Sequence, residues 1–62
     1  MGNPLEEKVR QWVKNQKSLY KRETESDEEA IDYMMMDAND DCDTKFSKTE
    51  LMEKIKAAFY EP

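Results

Sequence analysis

Among 62 residues the sequence has no histidine, a single cysteine, one glycine, two prolines and one tryptophan. Without histidine the most frequent general base is missing, and Cys42 alone completes neither a zinc site, a disulfide nor a Cys-His nucleophile. The serines have no recognisable base, and so short a chain rarely encloses the apolar pocket that raises a carboxyl pKa for acid catalysis, so an enzyme is not expected. A lone thiol predicts a reducing, intracellular and cytoplasmic setting. No apolar run approaches the roughly 20 residues needed to cross a bilayer, and the opening MGNPLEEK lacks the hydrophobic stretch of a secretion signal, which predicts a soluble protein without a membrane span. Met1-Gly2 begins a myristoylation pattern that continues with Ser or Thr at the sixth residue, where Glu6 stands, so no lipid anchor is expected.

What is abundant is charge. Charged residues make up 40% of the chain, with 15 acidic and 10 basic side chains and a net charge of −5. With so little glycine and proline, this mixture suits short charged helices better than a sheet, although it borders on that of chains that fold only on a ligand. A chain this small buries only about 60% of the surface its unfolded form exposes, so a single domain over residues 1–62 has a thin core that needs a partner, a metal or a second copy as support. The charge is also divided. Residues 5–22 carry six basic against two acidic side chains, a formal +4, whereas residues 23–62 carry four lysines against 13 acids, a formal −9. The basic head and the acidic body can attract each other, or the body can seek a cation or a basic partner outside the molecule.

Three helices follow from capping and spacing. Asn3-Pro4, followed by Glu6 and Glu7, begins a helix over about residues 4–20, with Leu5, Val9, Trp12, Val13 and Tyr20 on one apolar stripe. Ser26 with Glu29 forms a capping-box pattern for a second helix over 27–38, buried through Ala30, Ile31, Met34 and Met35. Ser47 with Glu50 repeats it for a third over 48–60, where Leu51, Ile55, Ala58 and Phe59 recur at helical spacing beside Met52. The expected core is Val9, Trp12, Val13, Ile31, Met34, Met35, Phe46, Leu51, Ile55 and Phe59.

Between the second and third helices lies DANDDCDTKFSKTEL. Calcium takes six to eight oxygens, and a helix-loop-helix supplies them from alternating loop positions that turn inward, closed by a bidentate Glu at position twelve. With Glu50 at twelve, Asn39 falls at one, Asp41 at three, Asp43 at five, Lys45 at seven, the apolar Phe46 at eight and Ser47 at nine, where it also caps the third helix. Thr44 occupies position six, where the sharp turn uses glycine, and the second helix stands two residues out of step. A frame starting at Asp37 instead puts Lys48 on the bidentate position. A fourteen-residue loop from Asp37 to Glu50 reconciles the two, and an acidic turn without a cation is the other reading.

On these residues, and on the FSKTEL exit above all, the stretch from about 27 to 60 resembles the EF-hand family. The resemblance implies an N-terminal amphipathic helix packed on an EF-hand-like helix-loop-helix in an all-α fold. It further implies calcium held by Asn39, Asp41, Asp43, the carbonyl of Lys45 and Glu50, with Ser47 reaching the ion directly or through water. EF-hands normally pair, so two copies are expected to associate, or the first helix substitutes for the absent half.

Met34, Met35 and Met36 offer an adaptable apolar surface for a protein partner, against the alternative that they fill the core. VRQWVKNQKSLYKR is a basic amphipathic helix whose Trp12 is a second candidate contact, although a core helix with a solvated basic side explains it as well. Direct nucleic-acid binding is not expected of so acidic a chain. The function expected is therefore non-enzymatic, a calcium-binding module that engages a protein. The alternative is an acidic interaction module or small inhibitor without metal, its SDEEAID segment imitating a phosphate backbone. Acidic neighbours disfavour the Cys42 thiolate, so an inert thiol is expected.

Overall fold

A computed structural model describes residues 3–62. The positions where the myristoylation pattern begins, Met1 and Gly2, lie outside the described residues. The fold is all-α: α1 spans Pro4–Arg22, α2 spans Asp27–Cys42 and α3 spans Lys48–Phe59. Each helix packs on the other two. None is long and apolar enough to cross a membrane, among the described residues.

The helix starts follow the sequence signals. Asn3 Oδ1 accepts the Leu5 amide at 2.9 Å, and Pro4 needs no amide partner in the first turn. Ser26 Oγ accepts the Glu29 amide at 3.1 Å, and Ser47 Oγ accepts the Glu50 amide at 3.3 Å while donating to Glu50 Oε1 at 3.0 Å. A serine cap of this kind contributes about 1 kcal/mol.

The core is a single cluster of Val9, Val13, Ala30, Ile31, Met34, Ala38, Cys42, Leu51, Ile55, Ala58 and Phe59. Trp12, Tyr20, Met35 and Phe46 are partly buried around it. Trp12 meets Tyr20 edge to face with ring centres 5.7 Å apart, an arrangement aromatic quadrupoles favour.

The main departure from expectation is the length of α2, which continues to Cys42 instead of ending at residue 38. Met34, Ala38 and Cys42 recur every fourth residue and are all buried, so the segment keeps a core-facing stripe through its acidic stretch. The helix then stops abruptly. Asp43 adopts the left-handed conformation at φ 54, its amide bonds back to the Asp40 carbonyl at 3.4 Å, and the Thr44 amide reaches the Asn39 carbonyl at 2.9 Å. This is a Schellman closure with aspartate where glycine is usual.

At the far end of the chain, Glu61 is gripped by α1. Arg10 donates from Nε to Oε2 at 2.8 Å and from Nη2 to Oε1, and Lys14 Nζ lies 3.3 Å from the same Oε1. Lys17 donates to the Phe59 carbonyl and sits 4.9 Å from the Phe59 ring centre, while Lys54 pairs with Glu6 at 2.7 Å.

Two outcomes are expected from this arrangement. Replacing Asp43 by glycine removes both a Cβ from a left-handed site and a negative charge from a helix C-terminus, so Asp43→Gly should raise unfolding stability by about 1 kcal/mol. Asp43→Val should lower it by at least as much, both read from urea midpoints. The hydrogen bonds from Arg10, with Lys14 adding to them, hold the Glu61 carboxyl down at about 2 against an ordinary 4.5. A depressed carboxylate contributes stability that is complete above its ordinary value and is lost as pH falls through the depressed one. Glu61→Gln should therefore flatten the stability profile between pH 4.5 and pH 2, measured as thermal midpoints across that range.

Candidate interaction surface

The residues assigned to a cation loop fall on three different kinds of backbone. Asn39 and Asp41 belong to α2, Asp43 is its left-handed cap, Lys45 lies in the linker of residues 43–47, Ser47 caps α3, and Glu50 is in the first turn of α3. On a helix, side chains two residues apart point about 200° from each other round the axis. Asn39 accordingly turns toward the linker while Asp41 is exposed.

Both polar ends of the Asn39 amide are engaged. Its Nδ2 donates to the Phe46 carbonyl at 3.0 Å, and its Oδ1 accepts both the Thr44 hydroxyl at 2.8 Å and the Phe46 amide at 3.1 Å. The side chain thus clamps the linker onto the last turns of α2. Glu50, placed to close the ion site, exchanges its hydrogen bonds with Ser47. The oxygens do not converge, and among the described residues no group of three or more carboxylates or thiols is placed to hold a metal ion. As placed here, Asn39, Asp41 and Glu50 face different directions. The reason is the helical course of residues 39–42, which removes four of the positions that an inward-coiled loop requires.

The binding residues expected from the methionine run also separate. Consecutive helical side chains step about 100° round the axis. Met34 is fully buried, so it belongs to the core and to no binding surface; Met35 is half-buried at the core's edge, and Met36 is 73% exposed. Trp12 is half-buried against Tyr20. Tyr33, at 50% exposure, is a surface aromatic that the apolar periodicity does not single out, because it stands off the buried stripe. Its signal in the sequence is that position, one residue before Met34.

The outer face of α2 is built from Glu28, Glu29, Asp32, Tyr33, Met36, Asp37, Asp40 and Asp41, all exposed. Its charge is uniform: residues 23–44 hold ten carboxylates and no basic residue. Little of it is neutralised from within. Of the six cations of α1, Arg10, Lys14 and Lys17 are engaged by Glu7, Glu61 and the Phe59 carbonyl, and the ion pair reaching α2 among the described residues is Lys21 with Asp27 at 3.8 Å. Asp37 Oδ2 accepts the Tyr20 hydroxyl at 2.7 Å. Cys42, buried at the C-terminal end of α2, has its thiol pushed up first by burial and then by Asp41, so it stays protonated and unreactive at neutral pH.

Comparison with protein families, curated proteins and solved structures returns no match for this chain. The resemblance to the EF-hand family accordingly draws no support from relatives.

The clamp and the ion site make opposite demands on residue 39. Asn39→Asp supplies the better calcium ligand, yet it removes the amide donor to Phe46 and sets a carboxylate against that carbonyl. The substitution should cost about 1–3 kcal/mol of stability, and millimolar calcium should not restore it. Recovery of the thermal midpoint on adding calcium would show instead that the loop can reorganise round an ion.

Proposed function

We propose that this chain is a non-enzymatic, metal-independent interaction module that offers the outer face of α2 to a basic protein partner. The observation that carries this reading is the unneutralised charge of that face. Folding uses Arg10, Lys14 and Lys17 of α1 to secure the C-terminal segment and leaves the carboxylates of residues 28–41 facing solvent. Such a surface raises the encounter rate with a positively charged partner and repels acidic ones.

Charge alone gives little lasting affinity, since exposed ion pairs contribute only about 0–1 kcal/mol each. Tyr33 and Met36, one helical turn apart in the middle of the acidic stripe, supply apolar contact area of the kind that anchors an interface. One helix face is a small contact area, which suits a transient association. A partner of opposite charge is favoured over a second copy, because two copies each carrying −5 repel. For a catalytic role the titration pattern is unhelpful. Hydrogen bonds from Gln11 to Glu7 and from Arg10 to Glu61 hold both carboxyls below the ordinary carboxylate range, opposite to what a general acid needs.

The test is site-specific cross-linking in the native cell, with a photoreactive amino acid replacing Met36 on α2 in one version and Lys56 on the exposed side of α3 in another. A discrete adduct with a basic protein is expected from the first version and not from the second. It should weaken as salt is raised and be indifferent to a calcium chelator. Equal labelling from both positions, or adducts that require calcium, would remove this reading.

A further inference from the structure

Resting on the interaction reading above, we propose that a cleft between the C-terminal half of α1 and the middle of α2 receives an arginine side chain of the basic partner. The cleft has a volume of about 270 Å³ and is lined by Leu19, Tyr20, Glu23, Tyr33 and Asp37, among others, with no basic side chain in its wall. Each part corresponds to a part of arginine. The two phenol rings and the exposed Leu19 offer apolar and π surface to the methylene stem and the flat guanidinium, and the two carboxylates offer acceptors for its N–H groups.

The geometry also leaves those acceptors available. Asp37 gives Oδ2 to the Tyr20 hydroxyl, and its second oxygen takes part in no hydrogen bond or ion pair among the described residues. The Glu23 carboxylate is exposed and likewise unpaired among them. Burial, then the bond to Asp37, pushes the Tyr20 phenol pKa upward, with Asp41 and Glu23 adding to the same negative field. The ring therefore remains a neutral donor, holding Asp37 in place beside the opening.

Arginine is specified over lysine by shape and hydration. Its planar fork matches separated carboxylates, stacks on aromatic rings and sheds water more readily than a compact ammonium. The other edge of α2 offers no such selection, because there Met35, Met36 and Met52 lie beside both Asp32 and Lys48.

The experiment uses the full chain labelled with nitrogen-15 and titrated, at physiological salt, with blocked hexa-arginine, hexalysine and hexacitrulline peptides. Hexa-arginine should shift the amides of Leu19, Tyr20, Glu23, Tyr33 and Asp37 most, and hexacitrulline, with the same shape and no charge, should shift none. Tyr33→Ala should weaken hexa-arginine binding about two- to fivefold while affecting hexalysine less. Asp37→Asn should weaken it too, and the exposure of both positions keeps the helices intact, verified by circular dichroism. Asp32→Asn, outside the cleft, should change binding less than either. Shifts centred on Asp40 and Asp41, equal binding of hexalysine, or an unaffected Tyr33→Ala variant would overturn the arginine cleft and leave the interaction reading standing. Absence of shifts with every cationic peptide would remove both.

Discussion

The fold depends on α2 burying a side chain on every turn up to its last residue. A chain of this size has no surplus of apolar surface, and Ala30, Ile31, Met34, Ala38 and Cys42 supply α2's share of the core. Against that stands an unfavourable sequence: Asp40, Asp41 and Asp43 crowd the negative end of the helix dipole, and no basic residue occupies the last turn. Each such charge costs about 0.3–1 kcal/mol. Burying a methyl or thiol-bearing side chain returns about 0.8 kcal/mol per carbon, and each hydrogen bond of the Asn39 clamp about 0.5–1.5 kcal/mol. The two sides are of similar size, so helix and coil are closely balanced here. Burial and the clamp together decide it.

Two consequences follow from one decision. Because residues 39–42 are helical, their carboxylates are spread round an axis and cannot coil inward onto a common point. Because Ala38 and Cys42 take the inner face, Asp37, Asp40 and Asp41 must take the outer one. The same constraint that spreads those carboxylates apart therefore assembles an anionic surface. Asn39 adds the third effect: lying between the two faces, it holds the linker at Phe46 and so sets where Ser47 begins α3.

Much of this was legible in the sequence, but unevenly. The starts of all three helices could be read because capping is a local code, fixed by one side chain and an amide two or three residues on. The cores of α1 and α3 could be read because Val9, Val13, Leu51, Ile55 and Phe59 are unambiguous apolar residues at helical spacing. The C-terminal third of α2 could not, since its buried stripe continues through alanine and cysteine, which weigh little in a hydropathy pattern, while Asp and Asn at high density suggest a turn. The spacing of oxygens along the chain matched an ion-binding loop, and the backbone conformation that gives such spacing its meaning was set elsewhere, by burial. The cleft beside Tyr33 was beyond sequence reading for a related reason: Leu19, Tyr20, Glu23 and Asp37 come from two helices, and their meeting depends on how α1 and α2 pack.

The division of charge along the chain is resolved asymmetrically by packing. Attraction between a basic α1 and an acidic α2 would have offset charge on both, yet the basic residues Arg10, Lys14 and Lys17 reach from α1 to the C-terminal segment, where Glu61 and the Phe59 carbonyl receive them. Lys21 pairs with Asp27 of α2 at the 3.8 Å reach of an exposed pair, and Lys8 lies beside Asp41, Cys42 and Asp43. Three of the six cations of α1 are thus engaged in securing the C-terminal segment, and the carboxylates on the outer face of α2 are left facing outward. A surface with that history attracts at long range but discriminates poorly, because screened charges respond to sign more than to shape. For the partner binding proposed above, discrimination has to come from contacts at close range, and the apolar side chains of α2 set among the carboxylates to supply it are Tyr33 and Met36.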